Sequence, residues 1–158
     1  MAAYIEIYLH IIFGTKNRQA LLHPDIDGPL HEQLREIATN SGDRLIVSGG
    51  GDDHRHLLVS TRVTRGLGAL VGDLKAQSSK WLKTQIASWR GWQAGYSAFS
   101  LQKAAIKGLK RYILNQRRHH ASEVLEAELD RFKGLAERPR DPRTQTPRGP
   151  LARTRSTE

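Results

Sequence analysis

Residues 44–60 read RLIVSGGGDDHRHLLVS, two short apolar runs separated by a connection rich in glycine and aspartate. Branched aliphatic runs on either side of such a connection are typical of a β-hairpin. We therefore predict strands over 44–48 and 54–60, joined by GGGDD. Because alternate residues of a strand project from the same face, His54 and His56 point together and Arg55 points the other way.

The pattern on both sides of the hairpin predicts the rest of the fold. Helical spacing of apolar residues predicts helices over 24–40, 66–87, 103–118 and 122–136. Runs of β-branched and aromatic residues predict two further strands, over 4–13 and 95–101. The resulting order is strand, helix, strand, strand, helix, strand, helix, helix. It predicts an α+β fold of the ferredoxin-like, split-βαβ type, with one antiparallel sheet and helices on one face.

The last 22 residues differ in composition from the rest of the chain. Residues 137–158 contain four of the six prolines, six arginines and almost no apolar residues. Such a segment cannot bury enough surface to offset its ordering entropy. We therefore predict a single folded domain over 1–136, followed by a disordered Arg/Pro-rich tail over 137–158.

The overall composition restricts the class of protein. The chain has no cysteine, which excludes thiolate metal sites and a cysteine nucleophile. Its net charge of +9 favours a polyanionic partner such as nucleic acid, although a merely basic protein with an arginine-rich tail stays an alternative. No apolar run is long enough to span a bilayer, and no secretory leader is recognisable. We expect a cytoplasmic protein without membrane contact.

The histidine pair has two interpretations when it is taken alone. It is either part of a metal site or an ordinary polar entrance to a strand, and the second is the commoner case. A downstream helix contains YILNQRRHH, in which Tyr112 and Gln116 are four residues apart and lie on one helical face. Cationic residues surround them and either approach a phosphate or form a solvated face; they are Lys107, Lys110, Arg111 and Arg117.

These motifs together resemble a known family. HRH followed by LLV, and then Tyr-x-x-x-Gln on a later helix, is similar to the single-tyrosine HUH transposases of bacterial insertion sequences and to the REP-associated tyrosine transposases. Further similarity lies in HIIFGTKNRQALL, LKAQSSKWL and WQAGYSAFS. The resemblance covers roughly residues 4–136, and it implies the HUH endonuclease fold.

The resemblance implies a role for each matching residue. His54 and His56 would bind a divalent cation, Mg²⁺ or Mn²⁺, and Gln116 would supply the third ligand. Tyr112 would be the nucleophile that cuts single-stranded DNA and keeps the 5′ phosphate as a phosphotyrosine. The element ends would carry DNA hairpins. By analogy with the Lys-x-x-Ser-Ser stretch of the family, the expected DNA contacts are Lys75, Ser78 and Ser79.

The resemblance leaves several points open. Family members are typically homodimers that can share an active site between subunits, whereas the REP-associated relatives are monomers. Arg55 departs from the family pattern, in which a bulky apolar residue stands between the two histidines. A domesticated relative that processes chromosomal repeats would use the same chemistry. The alternative from another class is a non-catalytic nucleic-acid-binding module, for which the intact His-x-His and Tyr-x-x-x-Gln set is not needed.

Overall fold

The predicted hairpin is present and forms one side of a four-stranded antiparallel sheet. This computed structural model describes residues 2–62, 64–119 and 125–135. The strands are β1 (Ile7–Gly14), β2 (Arg44–Gly49), β3 (His54–Thr61) and β4 (Ser97–Leu101). They lie in the order β2-β3-β1-β4, and every neighbouring pair is antiparallel. The α+β, split-βαβ fold class predicted from the sequence is confirmed.

The helices follow the predicted order, with one of them interrupted. They are α1 (Asp27–Asn40), α2 (Leu67–Gln85), α3 (Ile106–Leu114), α4 (Gln116–His119) and α5 (Leu125–Leu135). The chain divides into two compact units, Met1–Val124 and Leu125–Glu158. Of the second unit the structure describes α5, and the predicted tail over 137–158 lies outside the described residues. No helix in the described ranges is long and apolar enough to cross a membrane.

Helices α1 and α2 cover one face of the sheet and form the larger core. The odd-numbered side chains of β1 and β3 project into this core, as the alternation of a strand requires. The core residues that the two strands contribute are Leu9, Ile11, Phe13, Leu57 and Val59. Each of them is at most 9% exposed, so that each contributes about 1.5–3 kcal/mol of hydrophobic stabilisation.

Helix α3 packs on the opposite face of the sheet, which corrects the prediction that the helices share one face. A second, smaller core joins Ile113 of α3 to Val47 of β2 and Leu58 of β3. This face carries the even-numbered residues of β3, and therefore the two histidines. Periodicity showed that α3 has an apolar stripe, but an apolar stripe does not specify which face of the sheet it covers.

The close contact between α3 and β2 depends on a glycine. A Cβ atom added at Gly49 would lie 2.4 Å from the backbone oxygen of Ile113. Real Cβ atoms do not approach backbone that closely, so any larger residue would force α3 away from the strand. The absence of a side chain at Gly49 therefore helps to set the position of the helix that carries Tyr112.

We expect Gly49→Ala to lower the stability of the protein by about 2 kcal/mol, the typical cost of overpacking a tight contact. The loss should appear as a lower melting temperature and as faster hydrogen exchange in α3. Gly28→Ala in α1 is the matched control, because a Cβ there meets nothing within 4 Å. Equal melting temperatures for the two variants would contradict the close contact inferred at Gly49.

Candidate functional site

The two histidines of β3 lie side by side on the face that α3 covers. Their ring centroids are 5.1 Å apart, and the ring planes are nearly perpendicular, at 82°. One ring nitrogen of His54 lies within 4.8 Å of one ring nitrogen of His56, and both side chains are buried. This separation allows both imidazoles to bind the same cation, as the alternation of the strand predicted.

Neighbouring groups select which ring nitrogen of His54 can act as a ligand. Nδ1 lies 2.6 Å from Asp53 Oδ1, so it carries the proton and donates it to the carboxylate. Nε2 then holds the lone pair, and the backbone N–H of Gly51 donates to it over 3.3 Å. Histidine ligands of metals usually donate their second ring N–H to a carboxylate in this way. The Asp53 contact therefore fits a metal ligand that would bind through Nε2, with the cation taking the place of the Gly51 N–H.

His56 has a corresponding partner in His10, a residue that the sequence did not assign to the site. His10 lies on β1, two residues from the direct neighbour of His56, and its Nε2 is 2.9 Å from His56 Nδ1. Burial, followed by the proximity of His56, lowers the pKa of His10 to about 3. The neutral ring can therefore accept the His56 Nδ1–H, which leaves Nε2 of His56 as its ligand atom. Only strand pairing could have revealed this partner.

The aromatic ring of Tyr112 lies beside the histidine pair. Its centroid is 6.1 Å from that of His56, in an edge-to-face arrangement at 85°. The side chain is partly buried and packs against the smaller core through α3. Residues 56 positions apart in the sequence are thus brought together within one chain. The structure places the predicted nucleophile next to one of the predicted metal ligands.

The helix carrying Tyr112 ends before Gln116, in contrast to the continuous helix predicted over 103–118. Asn115 separates α3 from α4 with φ −97° and ψ 9°, and its N–H is shared between the carbonyls of Arg111 and Tyr112. Asparagine competes for backbone hydrogen bonds and often ends helices, which accounts for the break. Gln116 is the first residue of α4, and its side chain is 1% exposed. Its role as third ligand stays a prediction.

Arg55 and Arg117 share one carboxylate behind the histidine strand. Arg55, which points away from the histidines as predicted, is fully buried, and its Nη2 donates to Asp27 Oδ1 over 2.6 Å. Arg117 donates to both oxygens of Asp27 and, over 2.6 Å, to Asp52 Oδ1. The predicted DNA contact at Arg117 therefore has three hydrogen bonds to carboxylates within the chain.

The predicted DNA contacts on α2 instead connect α2 to the segment that precedes β4. Lys75 Nζ donates to the carbonyl oxygens of Gln93 and Gly95 over 2.7 and 2.8 Å. The Ser78 hydroxyl is fully buried and accepts the Trp92 indole N–H, and Ser79 accepts that of Trp89. In this conformation Ser78 presents no surface to DNA. Sequence similarity located the stretch but could not show that these groups face each other.

The remaining predicted DNA contacts are solvent-exposed residues of α3. Lys107, Lys110 and Arg111 are all exposed, and they precede Tyr112 on the same helix. A cluster of exposed cations within two turns of a tyrosine provides a positive surface for phosphate. Their DNA-binding role stays a prediction.

A split-βαβ sheet whose paired histidines face a helix that carries a tyrosine is the arrangement typical of the HUH class of proteins. Within that class the chain belongs to the family described as IS200-like transposases, whose family model matches residues 3–116. The family predicted from the sequence motifs is thereby confirmed. The match includes the histidine pair, Tyr112 and Gln116.

Individual relatives agree with this assignment. The ISDra2 transposase TnpA of Deinococcus radiodurans is 25% identical to this chain over an alignment of 118 residues, and the match covers 70% of this chain and 84% of the relative. A crystal structure of a putative transposase from Deinococcus radiodurans has a TM-score of 0.58 and 24% identity, covering 74% of this chain and 95% of that one. A REP-associated tyrosine transposase bound to a REP hairpin has a TM-score of 0.56 and 13% identity, covering 76% of this chain and 72% of that one. These two structures share its fold.

Proposed function

We propose that this protein cuts and rejoins single-stranded DNA at hairpin-bearing ends, with Tyr112 as the nucleophile. The observation that carries the proposal is the position of the Tyr112 ring, 6.1 Å from the ring of His56. A tyrosine that only anchored its helix would not need to face a buried histidine pair. Membership of the transposase family supports DNA strand transfer as the reaction class.

The reaction is a transesterification in which atoms and charge balance. The Tyr112 phenolate oxygen attacks a DNA phosphorus, a bond forms between them, and the bond to the 3′ oxygen breaks. The 3′ oxygen takes up a proton as a 3′ hydroxyl, and the phosphate stays on Tyr112 as a 5′-phosphotyrosine. Attack by a 3′ hydroxyl reverses the step and rejoins strands. Because the two phosphodiesters are similar in energy, no nucleotide cofactor is required.

The phenol needs activation before it can attack. At its ordinary pKa near 10, about one tyrosine in a thousand is ionised at pH 7. The donor set of two imidazoles and an amide oxygen, in which each histidine has its Nδ1 atom held by a neighbour, fits a divalent cation. When bound by His54, His56 and Gln116, Mg²⁺ or Mn²⁺ would neutralise charge on the phosphate and favour the phenolate.

Charge and a structural relative support hairpin DNA as the substrate. Lys107, Lys110 and Arg111 would hold the phosphate backbone close to Tyr112. The REP-associated relative was solved with a REP hairpin. The homodimer expected from the resemblance is part of the proposal, with each chain carrying its own pair of Tyr112 and His56.

The proposal is tested with single-stranded hairpin DNA taken from the flanks of the gene and labelled at either end. After incubation with Mg²⁺ or Mn²⁺, a denaturing gel should show the 3′ label attached to protein and the 5′ label released on a fragment with an extendable 3′ hydroxyl. EDTA should prevent both. Attachment of the 5′ label instead would overturn the proposed polarity. Binding without any adduct would support a nucleic-acid-binding module.

We expect His10→Phe to weaken Mn²⁺ binding by the DNA-free protein about tenfold, the usual effect of removing a partner of a ligating histidine. Phenylalanine fills the space but cannot accept the His56 Nδ1–H. His10→Gln should keep most of the affinity, since its amide oxygen can accept that proton. Isothermal titration calorimetry measures the Mn²⁺ affinity of both variants. His23→Phe, at an exposed position, is the control. An unchanged affinity in His10→Phe would refute the orienting role of His10.

A further inference from the structure

The first observation is the number of contacts that Arg117 makes from the start of α4. Its guanidinium donates four hydrogen bonds of 2.6–2.9 Å, two to Asp27, one to Asp52 and one to the carbonyl oxygen of Leu22. Asp27 is the first residue of α1 and Leu22 precedes that helix, whereas Asp52 lies in the β2–β3 connection. Arg117 therefore connects α4 to two separate parts of the same chain that flank the histidine strand.

The second observation is the burial of the other arginine that Asp27 holds. Arg55 is 0% exposed, and its Nε and Nη1 atoms have no hydrogen-bond partner among the described residues. Burial lowers the pKa of Arg55, and the carboxylate of Asp27 opposes that shift. Asp27 is thereby fixed in place by a buried charge, because moving it away would leave Arg55 without its counter-charge. A fixed Asp27 gives Arg117 a rigid anchor.

The third observation is the separation of α4 from α3. The structure describes α4 over Gln116–His119, and α4 follows a helix break at Asn115. Most of the stability of a helix in a protein comes from tertiary packing, so the contacts of its side chains help to determine where α4 lies beyond the break. Gln116 immediately precedes Arg117, and its side chain is buried. The contacts of Arg117 therefore help to hold the start of α4, and with it Gln116, in place.

We propose that Arg117 is a positioning residue that holds the Gln116 amide at the metal site of its own chain through Asp27 and Asp52. The inference rests on the proposed metal-dependent function, and it gives Arg55 a role as the buried charge that fixes Asp27. It also means that Gln116 and the histidine pair belong to the site of the same chain. It replaces the expectation that Arg117 contacts DNA.

The test measures Mn²⁺ binding by the full-length protein without DNA, by following the electron paramagnetic resonance signal of free Mn²⁺. Arg117→Gln should weaken binding about tenfold, the lower end of the effect of losing a group that orients a ligand. Arg117→Lys should weaken it nearly as much, because one ammonium cannot reproduce the planar fork that bridges two carboxylates. Asp52→Asn removes the charge of one acceptor at an exposed site and should have a smaller effect.

Hydrogen exchange, and a control variant at the neighbouring Arg118, complete the experiment. The amides of 115–118 should exchange faster in Arg117→Gln than in the wild type, whereas Arg118→Gln, on the same turn but exposed, should change neither exchange nor Mn²⁺ affinity. Unchanged Mn²⁺ affinity in Arg117→Gln, together with weaker DNA binding and a reduced salt dependence, would overturn the inference in favour of a DNA contact. A wild type that binds no Mn²⁺ would instead refute the proposed metal site itself.

Discussion

Tyr112→Phe is expected to abolish the covalent protein–DNA adduct while it leaves hairpin binding within about twofold of the wild type. Removal of the phenolic oxygen removes the attacking atom, so the reaction has no route to a phosphotyrosine. The ring itself remains and can keep its edge-to-face contact with His56. The adduct is measured on a denaturing gel and binding by fluorescence anisotropy of the same labelled hairpin.

Tyr96→Phe is the matched control for the tyrosine prediction. Tyr96 is 40% exposed, and it lies just before β4 rather than on the helix facing the histidines. Its substitution should leave adduct formation unchanged. Adduct formation that survives in Tyr112→Phe and disappears in Tyr96→Phe would show that the nucleophile has been assigned to the wrong tyrosine.

Asp27→Asn is expected to cause the largest loss of stability, about 3 kcal/mol, because it leaves the buried Arg55 guanidinium without a counter-charge. Asparagine has nearly the same size but keeps only one acceptor oxygen, so the variant loses the charge and one acceptor of the arginine hydrogen bonds. The substitution also removes the ionic partner of Arg117. Chemical denaturation measures the free energy of unfolding, and the melting temperature should fall by about 10 °C.

Glu32→Gln on the same helix is the control for Asp27→Asn. Glu32 also forms an ion pair with an arginine, Arg35, but both side chains are exposed. The pair is therefore solvated and contributes little to the stability of the fold. Equal losses in the two variants would refute the distinction between a buried and a solvated arginine partner. A double variant, Arg55→Met with Asp27→Asn, should recover part of the stability, since an apolar side chain of similar length needs no counter-charge.

Much of the fold followed from local pattern in the sequence. The alternation of HRHLLVS placed His54 and His56 on one face of a strand, and the structure agrees. The order of elements predicted the sheet, and its strands and first two helices end within a few residues of their predicted limits. The break at Asn115 was missed because helical spacing continues across it, while the backbone of Asn115 leaves the α-helical conformation and its carbonyl accepts from Arg118, only three residues on.

The partners of the site residues followed from tertiary structure alone. His10 and His56 are 46 residues apart, and Asp27 and Arg117 are 90 apart. Periodicity tells which side of an element a residue occupies, but it does not tell which residue of another element it meets. For that reason Ser78 was assigned to DNA although it is buried against Trp92.

Arg55 shows the boundary between the two sources of information most clearly. The sequence determined that it points away from the histidines, because a strand has a period of two residues. The sequence could not determine what a buried guanidinium binds, since Asp27 reaches it from a helix 28 positions away. Local chemistry thus set the directions of the side chains, whereas the packing of distant elements decided their partners and the environment of the proposed site.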